Sequence, residues 1–325
     1  MIAPIVTLTA AGAIDATYRV PGALERGAFV RASGCERELS GKGVNVSGAL
    51  SAAGVPTSAV VVLGEDDLPF ARASPLAGLL RIVPVPGATR VNISVIDSEG
   101  ATTKVNAPTP GIATAAWAEA CSAVADASAG AGWVVVSGTL PAVGGATARI
   151  ADVVRAVGIA GPRIAVDTSG AALADAAAEP AGIAVMKPNT HELAELVGRS
   201  LRSVGDVVSA ARELRARGVG IVFTSMGADG VLVVGDAAVV HATAPAPAVV
   251  NTAGAGDASL AGFLVGLEDD PGRADALARA AATAAAWGAL SVAQPTTILS
   301  SLAGAPRAEV TRDPDPALRL TEPAG

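Results

Sequence analysis

A run of small residues from Asn251 through Gly254, Ala255 and Gly256 to Asp257 opens directly onto the apolar-periodic stretch ASLAGFLVGLE. Glycines at such a point let successive backbone N–H groups face one way, and the start of a helix adds its dipole. Together they make a cradle for negative charge, suited to a phosphoryl group in transfer. Asp257 falls in the first helical turn, where a carboxylate can take the proton of an incoming hydroxyl. The competing reading is an Asp N-cap behind a Gly-rich loop. A dinucleotide cradle fits less well. Ser259 stands where the last glycine of that fingerprint belongs, and the loop comes late in the chain instead of after the first strand. Nor is there a P-loop lysine, because Lys42 in SGKGVN is followed by Gly43.

Such a loop needs a scaffold, and the second half of the chain supplies its pattern. WVVVSG (133–138), RIAVDTSG (163–170), IAVMKPN (183–189) and GIVFTSMG (220–227) read as strands, with helical patterns over 146–158 and 206–217. Strand–helix alternation of this kind predicts a parallel sheet covered by helices on both faces. Each of these strands ends in a small or polar cluster, which favours a ligand site along the carboxyl edge of the sheet. Residues 20–37 and 83–106 carry shorter alternating segments, with Asp97–Gly100 as a hairpin turn. They predict strands outside the main sheet, forming a small β lid from insertions at about 12–37 and 84–107 in a single 1–325 domain. The segment from 305 to 325, rich in Pro, Asp and Arg, reads as a frayed, flexible tail.

Composition narrows the chemistry further. Of 325 residues about half are apolar and only 2% aromatic, so the core must be built from Val, Leu, Ile and Ala. A net charge of −7 gives no general attraction to nucleic acid. Anions must then be held by local cations, a divalent metal or backbone N–H groups. Cys35 and Cys121 form neither a disulfide framework nor a zinc spacing, and suit two free thiols in a reducing, cytoplasmic compartment. His191 and His241 give no histidine-rich metal site and read as structural or solvent-facing. The start, MIAPIVTLTA, reads as a first strand and not a signal peptide. The Ala-rich run 280–293 is too short for a membrane span and reads as a buried helix.

A set of motifs then occurs in order: SGKGVNVSGALSAAG (40–54), GATRVNISV (87–95), TKVN (103–106), SGTLP (137–141), VDTSG (166–170), KPNTHEL (187–193), SMGADG (225–230) and AGAGDASLAG (253–262). The set resembles the ribokinase/PfkB carbohydrate kinases over roughly residues 5–300, and within them the 1-phosphofructokinase and tagatose-6-phosphate kinase branch. The resemblance implies a ribokinase-like three-layer α/β/α sandwich with a mostly parallel sheet and a β lid, ATP and Mg²⁺, and homodimers formed through the lid. It gives Asp257 the part of catalytic base, with Gly254, Ala255 and Gly256 as anion hole. Asp15, Gly41, Lys42, Asn45, Arg90, Asn92, Lys104 and Thr139 stand at its sugar and sugar-phosphate positions. Lys187, Asn189, Glu192, Thr224, Ser225, Gly227 and Gly230 stand on its nucleotide side, with Asn189 and Glu192 reaching Mg²⁺ through water. Arg90, between apolar neighbours, has the side chain suited to bidentate phosphate binding.

Four departures fall on the sugar side: Ala10–Ala13 replaces a Pro- and Asn-containing stretch, Ser40 a glycine, Thr139 a serine and Ala107 a glutamate. Fructose 1-phosphate is the expected acceptor, with tagatose 6-phosphate and fructose 6-phosphate as alternatives. A catalytically weak regulatory paralogue is motivated by the same departures and opposed by Asp257. A nicotinamide oxidoreductase is opposed by the motif's position. No nucleic-acid or membrane partner is expected.

Overall fold

The computed structural model describes residues 2–158, 161–267 and 273–324. Its main sheet has ten strands, in the order Glu309–Arg312, Val239–Thr243, Val231–Val234, Ile221–Ser225, Ile183–Met186, Arg163–Asp167, Trp133–Ser137, Ile5–Thr9, Thr57–Gly64 and Leu80–Val85. From Ile221–Ser225 onward neighbouring strands run parallel, and the first three pair antiparallel. Ile5–Thr9 and Trp133–Ser137 are buried along their whole length, as the inner strands of a sheet covered on both faces must be.

Alternate residues feed two cores. Val6, Leu8, Val134 and Val136 pack with Trp117, Val153, Leu173, Leu193 and Leu214 from helices on one face. Ile5, Trp133 and Val135 pack on the other face with Leu50, Phe263, Leu277 and Trp287. The three-layer sandwich expected from the sequence is thus present. The Ala-rich run lies in the buried helix Ala274–Val292, against Ala255–Leu267. The two helices approach so closely that a Cβ on Gly266 would lie 2.7 Å from the Ala280 Cα. Small residues thus do the packing that a core poor in aromatics needs, and Phe223 stacks on Phe263 at 4.6 Å between ring centres. Among the described residues no helix is long and apolar enough to cross a membrane.

The four strands Gly34–Ser40, Ala13–Arg19, Arg90–Ile96 and Thr102–Val105 form a separate sheet in that order. Asp97 shapes the expected hairpin turn, its carboxylate accepting from the Glu99 and Ala101 N–H groups at 2.9 Å. Cross-strand pairing sorts the two faces. Glu38, Asp15 and Asn92 share one face, and Ala16, Ile93 and Val105 share the other. The polar face looks into the body, since Glu38 accepts a hydrogen bond from the Thr297 backbone.

Two expectations need correcting. Residues 83–85 do not belong with the small sheet: Val83, Pro84 and Val85 pair with Val62, Leu63 and Gly64 at the edge of the main sheet. The C-terminal segment is not frayed. Glu309–Arg312 joins the main sheet, and Arg319–Ala324 pairs with Leu201–Ser203. Its Pro- and Asp-rich composition reflects the turn between these strands, while Leu320 and Ala324 reach the core.

Candidate active site

Asp257, the third residue of the helix Ala255–Leu267, lies past the N-cap position and does not cap. Its side chain is buried, and Oδ2 accepts from Asn45 Nδ2 at 2.8 Å. Asn45 projects from the helix Lys42–Ala52, which packs against the helix of Asp257. Gly254 stands at φ +82°, and a Cβ there would fall 1.9 Å from the Thr297 carbonyl oxygen. Only glycine fits this turn. Gly256 faces a cation: a Cβ there would lie 3.1 Å from Lys187 Nζ. The helix start and the Lys187 ammonium therefore converge on one anion position.

Lys187, in turn, is held by a residue that sequence reasoning did not assign. Asp167, buried at the end of Arg163–Asp167, accepts from Lys187 Nζ at 3.0 Å and from Lys42 Nζ at 2.7 Å. Burial opposes its charge, but Lys187 and Lys42 outweigh burial and hold its carboxyl below the ordinary range. Lys42 is also partly desolvated, yet the Asp167 and Asp257 carboxylates keep it protonated well above the usual lysine range. It retains 38% of its side-chain surface, so a charged face is left toward the cleft. Asp257 sits in the opposite balance. Burial pushes it up, as does nearby Asp167, against the pull of Lys42, Asn45 and Lys187, and its pKa reaches about 6. A carboxylate tuned upward yet ionised near neutrality is a competent general base. The sign available for Asp167 was a lone acid closing an otherwise apolar strand, RIAVD.

The sugar-side residues divide into two groups. Asp15 accepts from Asn92 Nδ2 at 2.9 Å, across the strand pair that joins them, and both line the body-facing side of the small sheet. The Gly138–Thr139 turn lies beside Lys42, tied down by Thr168 Oγ1 donating to the Gly138 carbonyl at 2.8 Å. Thr139 is exposed there, and Gly41 (φ +140°) packs on Thr9. Buried Asn45 Oδ1 and Asn92 Oδ1 have no hydrogen-bond partner among the described residues, leaving two acceptors for ligand hydroxyls. Arg90 has partners within the protein. Its guanidinium donates to the Ala11 carbonyl at 3.3 Å, to Thr109 Oγ1 at 3.0 Å and, at 3.5 Å, to the Ala107 carbonyl. Lys104 is exposed on the outer strand, opposite Ser94 and so on the same face of the small sheet as Asp15 and Asn92. Glu38, directly opposite Asp15, extends the polar row and was also missed; the register that puts it there, between strands joined by a 14-residue connection, has no local signature in the sequence.

On the other side, Asn189 and Glu192 form a capping box: Asn189 Oδ1 accepts from Glu192 N–H at 2.9 Å, and Glu192 Oε2 from Asn189 N–H at 2.8 Å. Among the described residues no group of three or more His, Cys, Asp or Glu could hold a metal. Asn189 and Glu192 are hard oxygen donors, and a pair of them fits an ion that keeps its waters and is held largely by ligand phosphates. Ser225 N–H donates to the Pro188 carbonyl at 3.2 Å, bringing the Ser225–Gly230 turn to the Lys187–Asn189 segment. Thr224 Oγ1 is buried there without a partner among the described residues. His241 donates to the Asp229 backbone oxygen through Nε2, and His191 is exposed.

The family model described as pfkB family carbohydrate kinase matches residues 7–302. A 1-phosphofructokinase of Rhodobacter capsulatus is 38% identical over 267 residues, spanning 80% of this chain and 82% of its own. One from Haloferax volcanii is 35% identical over 86% of this chain and 89% of its own. The structure of phosphofructokinase-2 from Escherichia coli in complex with potassium superposes with a TM-score of 0.80 at 26% identity, covering 93% of this chain and 96% of that one.

Proposed function

The chain belongs to the pfkB family of carbohydrate kinases, and from that premise we propose that it transfers the γ-phosphoryl group of ATP to fructose 1-phosphate, giving fructose 1,6-bisphosphate. The observation that carries this reading is the meeting of Asp257, tuned to a pKa of about 6, with the anion cradle formed by Gly254, Gly256 and Lys187. The 1-phosphofructokinase relatives support the choice of acceptor. In this reading Asn45 orients the Asp257 carboxylate toward the acceptor hydroxyl, which gives Asp257 its proton as the phosphoryl bond forms. The N–H groups of Ala255 and Gly256, with Lys187 and Lys42, receive the charge on the phosphoryl oxygens. Asp15 and Asn92 hold sugar hydroxyls. Thr224, Ser225, Gly227 and Gly230 contact the nucleotide. Through water, Asn189 and Glu192 would hold Mg²⁺, which would supply positive charge against the triphosphate. The substrate's own phosphate meets Lys42 and Arg90, the latter by exchanging its carbonyl partners for phosphate oxygens. Incubation with ATP, Mg²⁺ and fructose 1-phosphate, fructose 6-phosphate or tagatose 6-phosphate, following ADP, tests the reading. A tenfold higher kcat/KM for either 6-phosphate would change the acceptor and keep the kinase.

The tuning of Asp257 carries a pH signature. A base works ionised, so kcat/KM is expected to fall tenfold per pH unit below about 6, as Asp257 takes up a proton. A flat profile to pH 5 in folded enzyme would remove Asp257 from the role.

We place the enzyme in a reducing cytoplasm, in keeping with its two free cysteines, Cys35 and Cys121. The outward face of the small sheet leaves Tyr18, Ile93 and Val105 exposed. A second copy of the chain covers that face in our reading, so sedimentation should return twice the monomer mass; a monomer at micromolar concentration contradicts it.

A further inference from the structure

Residues 303–324 lie beyond the family match, which ends at 302, yet they reach the turn assigned above to the nucleotide. The strand Arg319–Ala324 is anchored by the Leu201↔Ala324 and Ser203↔Arg319 pairs and by the Val204 N–H, which donates to the Leu318 carbonyl at 2.9 Å. So fixed, it presents Thr321 to Asp229. The Thr321 N–H donates to Asp229 Oδ2 at 2.7 Å, and its Oγ1 donates to Oδ1 at 2.6 Å. The next residue, Glu322, sets Oε2 3.6 Å from where a Cβ on Gly227 would stand. Asp229 closes the short 3₁₀ turn Gly227–Asp229, and its backbone oxygen is met by His241 Nε2 at 2.7 Å.

This turn needs holding. Gly227 and Gly230 both take positive φ, at +59° and +82°, and glycines in such conformations lose the most freedom on ordering. The turn has its own hydrogen bonds, but among the described residues the two-point grip on the Asp229 carboxylate comes from the strand Arg319–Ala324.

We propose that the C-terminal strand is a clamp on the nucleotide turn, with Thr321 and Asp229 as positioning residues that preorganise Ser225, Gly227 and Gly230 for ATP. The proposal rests on reading that turn as the nucleotide site. Preorganisation strengthens binding by lowering the ordering cost that the ligand must offset. None of the contacts that hold the clamp involves Asp15, Asn45 or Asp257, so its effect falls on the nucleotide and not on the sugar or the chemical step.

Thr321→Val removes the hydroxyl contact at an exposed position and keeps the N–H one; Thr321→Ser restores the hydroxyl. Titration calorimetry with ADP and magnesium, together with steady-state kinetics, reads the result. Thr321→Val is expected to weaken ADP about three- to tenfold and to raise the KM for ATP by the same factor. The KM for fructose 1-phosphate and kcat at saturating ATP should stay within about twofold, and Thr321→Ser should return the wild-type values. Unchanged ADP affinity in Thr321→Val, a rise in both KM values together, or no recovery with serine overturns the clamp. Wild-type protein that binds no ADP overturns the nucleotide reading itself, and the clamp with it.

Discussion

Asp257→Asn is expected to lower turnover by about 10²–10⁴-fold, the contribution of a positioned general base. The amide has nearly the shape of the carboxylate, and its oxygen can still accept from Asn45 Nδ2, which now stands 2.8 Å from Oδ2. The cleft should keep its form and ATP its KM, while the acceptor's proton has nowhere to go. The measurement is kcat and both KM values at pH 7.5, well above the titration of Asp257 near pH 6. A turnover within threefold of wild type would dismiss Asp257 as the base. Loss of ATP binding with turnover would mean that the variant had disturbed the cradle of Gly254 and Gly256.

The second large effect is expected at Asp167. Its one carboxylate partners two ammonium groups, and Lys187 beside it is 5% exposed. Removing one member of a buried charged set typically costs about 3–5 kcal/mol, because the remaining charge is left desolvated. For a chain of this size each kcal/mol moves Tm by roughly 1.5 °C. Asp167→Ala should therefore melt about 5 °C below wild type and lose activity, because Lys187 no longer has a fixed place beside Gly256. Asp167→Asn separates stability from electrostatics. It keeps an acceptor for one lysine and removes a negative charge that raises the pKa of Asp257. The acid limb of kcat/KM should then lie below pH 6, since the base needs a lower pH to gain its proton. A limb left in place, or moved upward, would show that Asp167 does not govern the base electrostatically.

These two residues mark the limit of what the sequence makes legible. Asp257 could be read because its meaning is local: a loop of small residues, a helix start and a carboxylate within seven positions. The sandwich could be read for the same reason, from strands and helices each with its own period. Asp167 is local in no such sense. Its partners stand 125 and 20 residues away, and before folding it is one acid at the end of a strand. Lys42 was read as a sugar-phosphate contact, and its ion pair with Asp167 could not be seen from the sequence. Arg90 was read the same way, and its contacts with the Ala11 and Ala107 carbonyls and Thr109 carry no sequence signature. The C-terminal segment misled through composition, since Pro and Asp mark turns and loose ends alike; the pairing of residues 309–312 with 240–243 exists only in the fold.

The hydrogen bond from Asn45 to Asp257 spans 212 positions. A chain leaving the ribosome therefore completes its first parallel strands, with Asn45 in place, long before the base has been synthesised. Until then the face of the helix Lys42–Ala52 carrying Val46, Ala49 and Leu50 lacks the Phe263 and Leu264 it will meet. With Asp257 as the proposed base, catalysis begins only when the helix Ala255–Leu267 docks on that face. No fragment of the nascent chain can spend ATP, and the interval before docking is when its apolar surface is most open to aggregation or to a chaperone.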